Sequence, residues 1–413
     1  MRGCLVWLFS LAGSLALTVV AFAESPAGWA RHVIDASSRG ADGIKLGDLD
    51  GDGRLDLVTG WEEGGQVRVY LQPPKDRIRE PWPAVTVGRV NSPEDACFFE
   101  VNGDGRLDVI SCCEGNEQTV FVHLAPRQVD QLLVADAWKT ISLRESMRAT
   151  RWMYAVPFPL TPDFRERETR IVCGSKNPGG RLGYFDFSVS VEIAEARWRE
   201  IGPAGWIMSL EWGDVDGDGR LDLLYSDRMG PHRGCWCRLN PGNGTPLEHW
   251  PEFPIGGQER EVMFLSTAEI VRKGRLDVLC AVKGAGGLVL LNESKPGVPH
   301  FRVREIPRPA ETGTGKCLVA GDMDGDGCLD LVVSCEQAEG KHGVYWLRGP
   351  VWEQSEAAPL QAISGRDQGV KYDLLVLLDL DGDGDLDTLT CEERDQLGVI
   401  WYENPANKAA EGR

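Results

Sequence analysis

The sequence is poor in the residues and motifs that mark enzyme chemistry. It has no Gly-x-Ser-x-Gly, no His-Glu-x-x-His and no glycine-rich phosphate loop, so the local signatures of serine hydrolases, zinc proteases and nucleotide enzymes are absent. Only six histidines occur, His32, His123, His232, His249, His300 and His342, and no two have the spacing of a metal pair. No C-x-x-C occurs among the twelve cysteines, which gives a zinc site little support. Basic charge is also short. Against 63 Asp and Glu there are 44 Lys and Arg, a net charge of −19, and such a balance argues against a nucleic-acid partner. After residue 20 no apolar run approaches the length of a membrane span.

What the chain has in quantity is aspartate at fixed spacing. Asp48, Asp50, Asp52 and Asp56 occupy positions 1, 3, 5 and 9 of a nine-residue loop, with Gly51 and Gly53 at positions 4 and 6. A hard cation such as Ca²⁺ takes six to eight oxygens in flexible geometry, and alternate carboxylates supply them. Arg54 at position 7 adds a backbone carbonyl, and the glycines permit the sharp turn. The first six residues resemble an EF-hand loop, but the apolar Leu57-Val58 follows position 9 at once and the flanks read as strands.

The pattern occurs five times. The further loops are Glu100, Asn102, Asp104, Arg106 and Asp108; Asp214, Asp216, Asp218, Arg220 and Asp222; Asp322, Asp324, Asp326, Cys328 and Asp330; and Asp379, Asp381, Asp383, Asp385 and Asp387. About five structural Ca²⁺ sites are expected, and much of the acidity belongs to them. Aligned on position 9, the chain gives the series 56, 108, 170, 222, 277, 330, 387, or seven repeats. The third and fifth are degenerate. Thr169 to Gly174 repeats only the strand after the loop. Glu269, Val271 and Lys273 stand at positions 1, 3 and 5 of the fifth, where the Lys273 ammonium is expected to replace the ion.

Each repeat reads as four short strands, the last often opening on an aromatic (Trp82, Trp138, Trp198, Trp250, Phe301) expected to pack in the core. Four strands seven times over is the pattern of an all-β, seven-bladed β-propeller. The chain begins with an orphan fourth strand, Trp29 to Ile34, and its last repeat ends after a third, Val399 to Tyr402. The N-terminal strand is therefore expected to close the ring, with residues 404–413 a loose tail. Met1 to Ala23, with Arg2, an apolar stretch from Leu5 to Val20 and Ala21-Phe22-Ala23, reads as a secretory signal. That leaves 24–413 as the propeller, with no membrane span after cleavage, in a secreted, extracellular or periplasmic protein. Cys112, Cys173, Cys280, Cys335 and Cys391 recur at one place in successive repeats and read as buried small hydrophobes. Cys112-Cys113 and Cys235-Trp236-Cys237 are the pairs placed for other chemistry. Asn243-Gly244-Thr245 and Asn292-Glu293-Ser294 are glycosylation-type triplets.

Gly47 to Val58 and Gly321 to Leu331 resemble the FG-GAP/VCBS-type repeats of integrin-like β-propellers, and the likeness extends over nearly the whole chain after residue 23. The resemblance implies that the calcium loops join first and second strands on one rim. The opposite rim then carries the remaining turns, which are charged here: Asp42, Arg228 and Lys283 lie in them. The candidates for a ligand site in the resulting funnel are Trp61, Glu62, Glu94, Asp95, Glu114, Arg151, Trp152, Lys176, Trp206, Asp227, Arg260, Lys316, Glu336, Lys371 and Glu392. His232 and His342 also follow second strands. The fold hosts many functions, and two are expected: a non-enzymatic binding module for a glycan or surface protein, or an extracellular polysaccharide-degrading enzyme using funnel carboxylates.

Overall fold

The computed structural model describes residues 28–159, 170–187, 192–354 and 358–406. The segment 1–23 read as a secretory signal lies outside them, as does Thr169, the first residue of the third repeat's expected strand. Among the described residues there is no helix long and apolar enough to cross a membrane.

Seven four-stranded antiparallel sheets are present. Their first strands are Ala41–Gly47, Pro93–Phe99, Arg151–Pro157, Ile207–Gly213, Val262–Ala268, Thr314–Gly321 and Tyr372–Leu378. Each touches the first strand of the next blade, and that of blade 7 touches that of blade 1, so the ring is closed. The second strands begin at residues 56, 108, 170, 222, 277, 330 and 387, one per predicted repeat. Ala30–Asp35 pairs antiparallel with Gly398–Glu403, Ala30 opposite Glu403, and supplies the outer strand of blade 7. Closure this way leaves no open edge between the chain's two ends.

The second strands are buried on both faces, which is why they read as continuous apolar runs rather than alternating ones. The recurrent cysteines lie in them, and among the described residues all eleven are unpaired and ten are buried, Cys328 alone being exposed. Trp82, Trp138 and Trp250 are buried, and their indole N–H groups donate to Ile78, Leu132 and Thr245 carbonyls, pinning the outer loops; Trp198 and Phe301 are half-buried.

Serines bolt neighbouring blades. Ser226 donates to the Met263 carbonyl at 2.8 Å, Ser266 to Leu318 at 2.6 Å and Ser334 to Asp373 at 2.5 Å. Asn404 is not part of a loose tail. It is buried, and its Nδ2 donates to Met323 in blade 6 and Leu386 in blade 7, at 2.9 and 3.0 Å. Asn292 bridges Val215 and Leu276 in the same manner. Its amide is buried and engaged, which removes it as a glycan acceptor; Asn243 is exposed.

Candidate functional site

Two sites lie on opposite rims. On the first, the acidic loops form tight turns built by their own side chains. Asp48 accepts from the Gly51 and Gly53 amides at 2.8 and 3.1 Å, Asp50 from Asp52 at 3.1 Å and Asp52 from Arg54 at 2.9 Å. Gly51 and Gly53 have φ of +79° and +85°, a region costly for side-chain-bearing residues. Carboxylate oxygens of Asp48, Asp50 and Asp56 lie within 4.8 Å of one another, as do those of Asp214, Asp216 and Asp218 and those of Asp322, Asp324 and Asp330. The Glu100–Asn102–Asp104 and Asp379–Asp381–Asp383 loops make the same turns. An all-oxygen donor set of this kind fits a hard divalent cation.

The position-9 aspartate has a second duty. Asp56 accepts the Leu49 and Gln72 amides at 2.8 and 2.9 Å, tying the loop to the chain after the third strand. Asp108 does so with Val101 and Ala125, Asp222 with Val215 and Asn240, Asp330 with Met323 and Gly349, and Asp387 with Leu380 and Asn404. Burial pushes these carboxyls up, Asp56 and Asp330 to about 6 and Asp108, Asp222 and Asp387 to about 7. At position 7, Arg54 and Arg220 donate through Nε to the Gln72 and Asn240 carbonyls, both at 2.8 Å, which fixes the backbone there. Arg106 lines a surface concavity with Asp104 and Arg127, Cys328 is exposed, and Asp385 donates its amide to Asp383 at 3.1 Å. In the fifth loop Lys273 is exposed and makes no ion pair among the described residues, so the expected placing of its ammonium among the loop carboxylates is not seen there. Four methylenes let it reach water, while the loop's own carboxylates, Glu269 and Asp277, accept backbone amides.

On the other rim the axis opens into a cavity of about 350 Å³. Every blade contributes, for one local reason. Each first strand carries a bulge near its start, between Asp42 and Lys45, Pro93 and Asp95, Trp152 and Tyr154, Ile207 and Ser209, Val262 and Leu265, Gly315 and Cys317, and Tyr372 and Leu375. A bulge adds an unpaired residue and re-aims its side chain. The skipped residues Glu94, Met153, Met208, Phe264, Lys316 and Leu374 all line the cavity.

Of the candidate residues, Glu62, Glu94, Asp95, Glu114, Lys176, Trp206, Lys316, Glu336 and Lys371 lie on its wall, and so do Asp42, Arg228 and Lys283. Six candidates do not. Trp61 is fully buried and donates to the Tyr70 hydroxyl at 2.9 Å; Trp152 is fully buried against Phe185 and Trp198. Both belong to the core because the pleat turns them between blades. Arg151 is exposed, and Arg260 pairs with Glu305 on the outside. Asp227 and Glu392 are buried behind the wall and hold it. Asp227 accepts the Gly205 and Trp206 amides at 2.8 and 2.7 Å, and Glu392 accepts the Val370 and Lys371 amides, both at 3.1 Å. His232 and His342 are not on the wall; His342 Nδ1 lies 2.8 Å from the Ser364 carbonyl.

Lys45 had no signal in the turns, whereas Lys316 and Trp206 were candidates whose partners the structure supplies. Lys45 points in from mid-strand, 2.6 Å from Asp95, 2.8 Å from the Ala155 carbonyl and 3.6 Å from the centre of the Tyr154 ring, so it joins blades 1, 2 and 3. Lys316 lies 3.0 Å from Asp373 and 3.2 Å from Glu393, with Lys371 on the other side of Glu393. Trp206 carries cations on its ring, Lys176 Nζ at 4.5 Å and the Arg228 guanidinium at 4.3 Å from the centroid, and its Nε1 has no hydrogen-bond partner.

The charges are segregated. Arg228, Lys283, Lys316 and Lys371 come from blades 4 to 7 and each has an acidic partner. On the side of blades 1 and 2, Lys176 pairs with Glu114 and lies 3.7 Å from Glu94, while Lys371 acts with Lys176 on Glu62, and Lys316 and Lys371 act on Asp42. Carboxylate oxygens of Asp42, Glu62 and Glu94 lie within 4.8 Å of one another. Two full charges at such a distance repel by about 3 kcal/mol at the effective dielectric of a protein site. Burial, then the charges of Glu393, Asp373 and Glu94, push Asp42 well above the carboxylate range, and burial raises Glu94 in the same sense. Burial also raises Glu393 to about 7. Asp373 is as deeply buried, but the Lys316 ammonium and hydrogen bonds from Asp42 and Glu393 hold it ionised well below its usual range. The two ends of this cluster are thus split into proton holder and anion.

Residues 48–111 match the FG-GAP-like repeat family. No curated protein matches the chain by sequence. Among solved structures, the chain is similar to that of BBS1N in complex with ARL6DN, soaked with mercury, at 11% identity and a TM-score of 0.51, over 92% of this chain and 98% of that one. A second structure of the same complex, soaked with lead, aligns at 13% identity and a TM-score of 0.47, over 92% and 97%. At that identity the likeness speaks to the fold alone.

Proposed function

With FG-GAP-like repeats on a seven-bladed ring as the premise, we propose that the protein is a binding module that takes its partner at the funnel rim, stapled by Ca²⁺ in the five acidic loops of the other rim. The observation that carries this reading is the funnel itself. Six of the seven bulges aim side chains at one concavity, whose wall also holds the Trp206 ring with its two cations and the converging carboxylates of Asp42, Glu62 and Glu94. A concave site with few convergent polar groups is where small ligands and protruding loops dock. Its polarity fits a glycan or the polar loop of an extracellular surface protein, and the leader-like start, Met1 to Ala23, is in keeping with export. BBS1N, which shares the fold, is held in a complex with ARL6DN, in keeping with an interaction role.

A polysaccharide-degrading enzyme is the second reading. It is favoured by the split protonation of Asp42 and Asp373, the arrangement that lets one carboxyl donate a proton while another stays anionic. Asp373 is fully buried, however, which keeps it from a bulky substrate. One experiment separates the two. The protein is applied to a glycan array with and without Ca²⁺, and each bound glycan is then incubated with it and analysed for cleavage. Binding without cleavage supports the module, cleavage supports the enzyme, and binding to no glycan leaves the surface protein as the partner to capture.

A further inference from the structure

Positions 3 to 5 of the five acidic loops read Asp-Gly-Asp or Asn-Gly-Asp, whereas blade 5 has Val271-Arg272-Lys273 there. This loop carries cations where the others carry carboxylates. The glycines at position 4 have φ between +72° and +79°, a conformation that Arg272 does not adopt, so the blade 5 loop turns differently. Arg272, Arg275, Lys295 and Arg302 line one concavity of about 330 Å³ over the buried Leu291, at the small end of ligand pockets, roughly 300–1,000 Å³. Two carboxylates share its wall, and both are engaged. Asp277 accepts three backbone amides. Glu293 accepts from Arg302 at 2.8 Å, with His300 at 3.5 Å and the Arg272 charge also acting on it. The acidic loop of blade 4 borders the site, where Asp216 accepts the Gly297 amide at 2.6 Å. Arg272 and Lys295 are exposed, and among the described residues neither makes an ion pair or a side-chain hydrogen bond.

The backbone that carries these cations is fixed. Arg275 donates through Nη1 and Nη2 to the Asn292 and Ser294 carbonyls at 3.3 and 2.8 Å, which pins its guanidinium with N–H groups to spare. Lys295 and Val298 exchange backbone hydrogen bonds at 3.1 and 2.8 Å, closing a tight turn that begins at Lys295. Like charges gathered this way repel one another and are stabilised by an anion between them. Donors from two separate segments, the loop and the turn after the third strand, suit the several oxygens of a tetrahedral oxyanion. We propose that the blade 5 concavity is an anion site that takes a sulfate or phosphate group, free or as an ester on a sugar, with Arg272, Arg275 and Lys295 as its cations. The site lies on the loop rim, away from the funnel, and does not rest on the function proposed above.

The test is calorimetric titration at low ionic strength with inorganic sulfate, a glucose sulfate ester and a glucose phosphate ester, with glucose as the uncharged control. Three full-length proteins are compared: the parent, an Arg272→Gln/Lys295→Gln variant, and a charge-matched Lys139→Gln/Arg148→Gln variant whose exposed cations stand outside blade 5. The parent is expected to bind one equivalent of the charged probes and no glucose. The blade 5 variant, with unchanged circular dichroism, is expected to bind about tenfold more weakly or worse, having lost two charge-assisted contacts, and the charge-matched variant to bind like the parent. Should the double variant fail to fold, Arg272→Gln alone is expected to weaken binding severalfold. Equal affinity for inorganic sulfate and the esters makes the oxyanion itself the ligand, and tighter binding of an ester makes it the sugar that bears the group; either sustains the site. A parent that binds none of the charged probes, equal binding by all three proteins, or an equal loss in both variants would overturn it.

Discussion

The carboxylate of Asp277 accepts the Asn292 amide at 2.6 Å, and its other oxygen accepts the Ile270 and Val271 amides at 3.1 and 3.0 Å. This occurs in the blade whose loop carries Val271 and Lys273 in place of two ion ligands. The position-9 aspartate therefore has a role apart from the proposed ion, because it closes the loop and anchors the chain after the third strand. Asp277→Ala is expected to destabilise the fold by roughly 3 kcal/mol or more, since it strands three amide donors, without changing the ion count. Urea denaturation measures the loss, and a change below about 1 kcal/mol would show that the staple is dispensable.

Chelation is expected to act on the other five loops, where the ions are proposed. Without ions, each set of converging carboxylates is left repelling itself. An ion held at about 100 times its Kd contributes about 2.7 kcal/mol per site, so EDTA is expected to lower the Tm by on the order of 10 °C or more. Differential scanning calorimetry with and without excess Ca²⁺ reads this directly; superimposable scans would remove structural calcium from the account.

His123 supplies a pH dependence of known sign. It is fully buried, with Ser111 Oγ at 2.9 Å from Nε2 and Thr140 Oγ1 at 2.9 Å from Nδ1, and burial lowers its pKa to about 3. The unfolded chain binds a proton there near pH 6.5 and the folded chain does not. Its contribution is intact above pH 6.5 and is lost as pH falls toward 3, at up to about 1.4 kcal/mol per pH unit. His123→Gln should flatten that part of the stability profile relative to the parent protein. Parallel profiles for the two would contradict the assignment.

Lys316 neutralises Asp373 and Glu393 in a place where all three are buried. Lys316→Met keeps the volume and removes the charge, leaving an anion uncompensated, and is expected to cost about 3–5 kcal/mol. Adding Asp373→Asn should restore part of the loss. A double variant no more stable than the single one would show that the pair is not coupled.

The ring was legible because its signal is periodic. Each second strand starts at the predicted position 9, and the apolar runs that follow are the ones buried on both faces. Closure was legible from the strand missing at one end and present at the other. The funnel wall was legible only in part. Residues in turns, such as Glu62, Lys176 and Trp206, are placed by topology alone. Trp61, Trp152, Asp227 and Glu392 sit one pleat away and point into the core or hold the backbone. Conversely, Met153, Met208 and Phe264 reach the cavity because a bulge breaks the two-residue alternation at each first strand. Nothing in those apolar residue types marks the extra residue, so alternation counted from sequence assigns the wrong face. Lys45 and Asp373 were hidden for the same reason.

The most direct test of the funnel as recognition face compares glycan-array and extracellular-protein binding by the parent chain, a Lys176→Gln/Lys283→Gln variant of the wall and an Arg260→Ala variant outside it. Lys283 is 30% exposed and Lys176 lies against Trp206, so both substitutions alter what a partner meets. The account predicts binding by the parent and by Arg260→Ala, with at least a tenfold loss in the wall variant. Equal binding by all three, or a loss confined to Arg260→Ala, would contradict it.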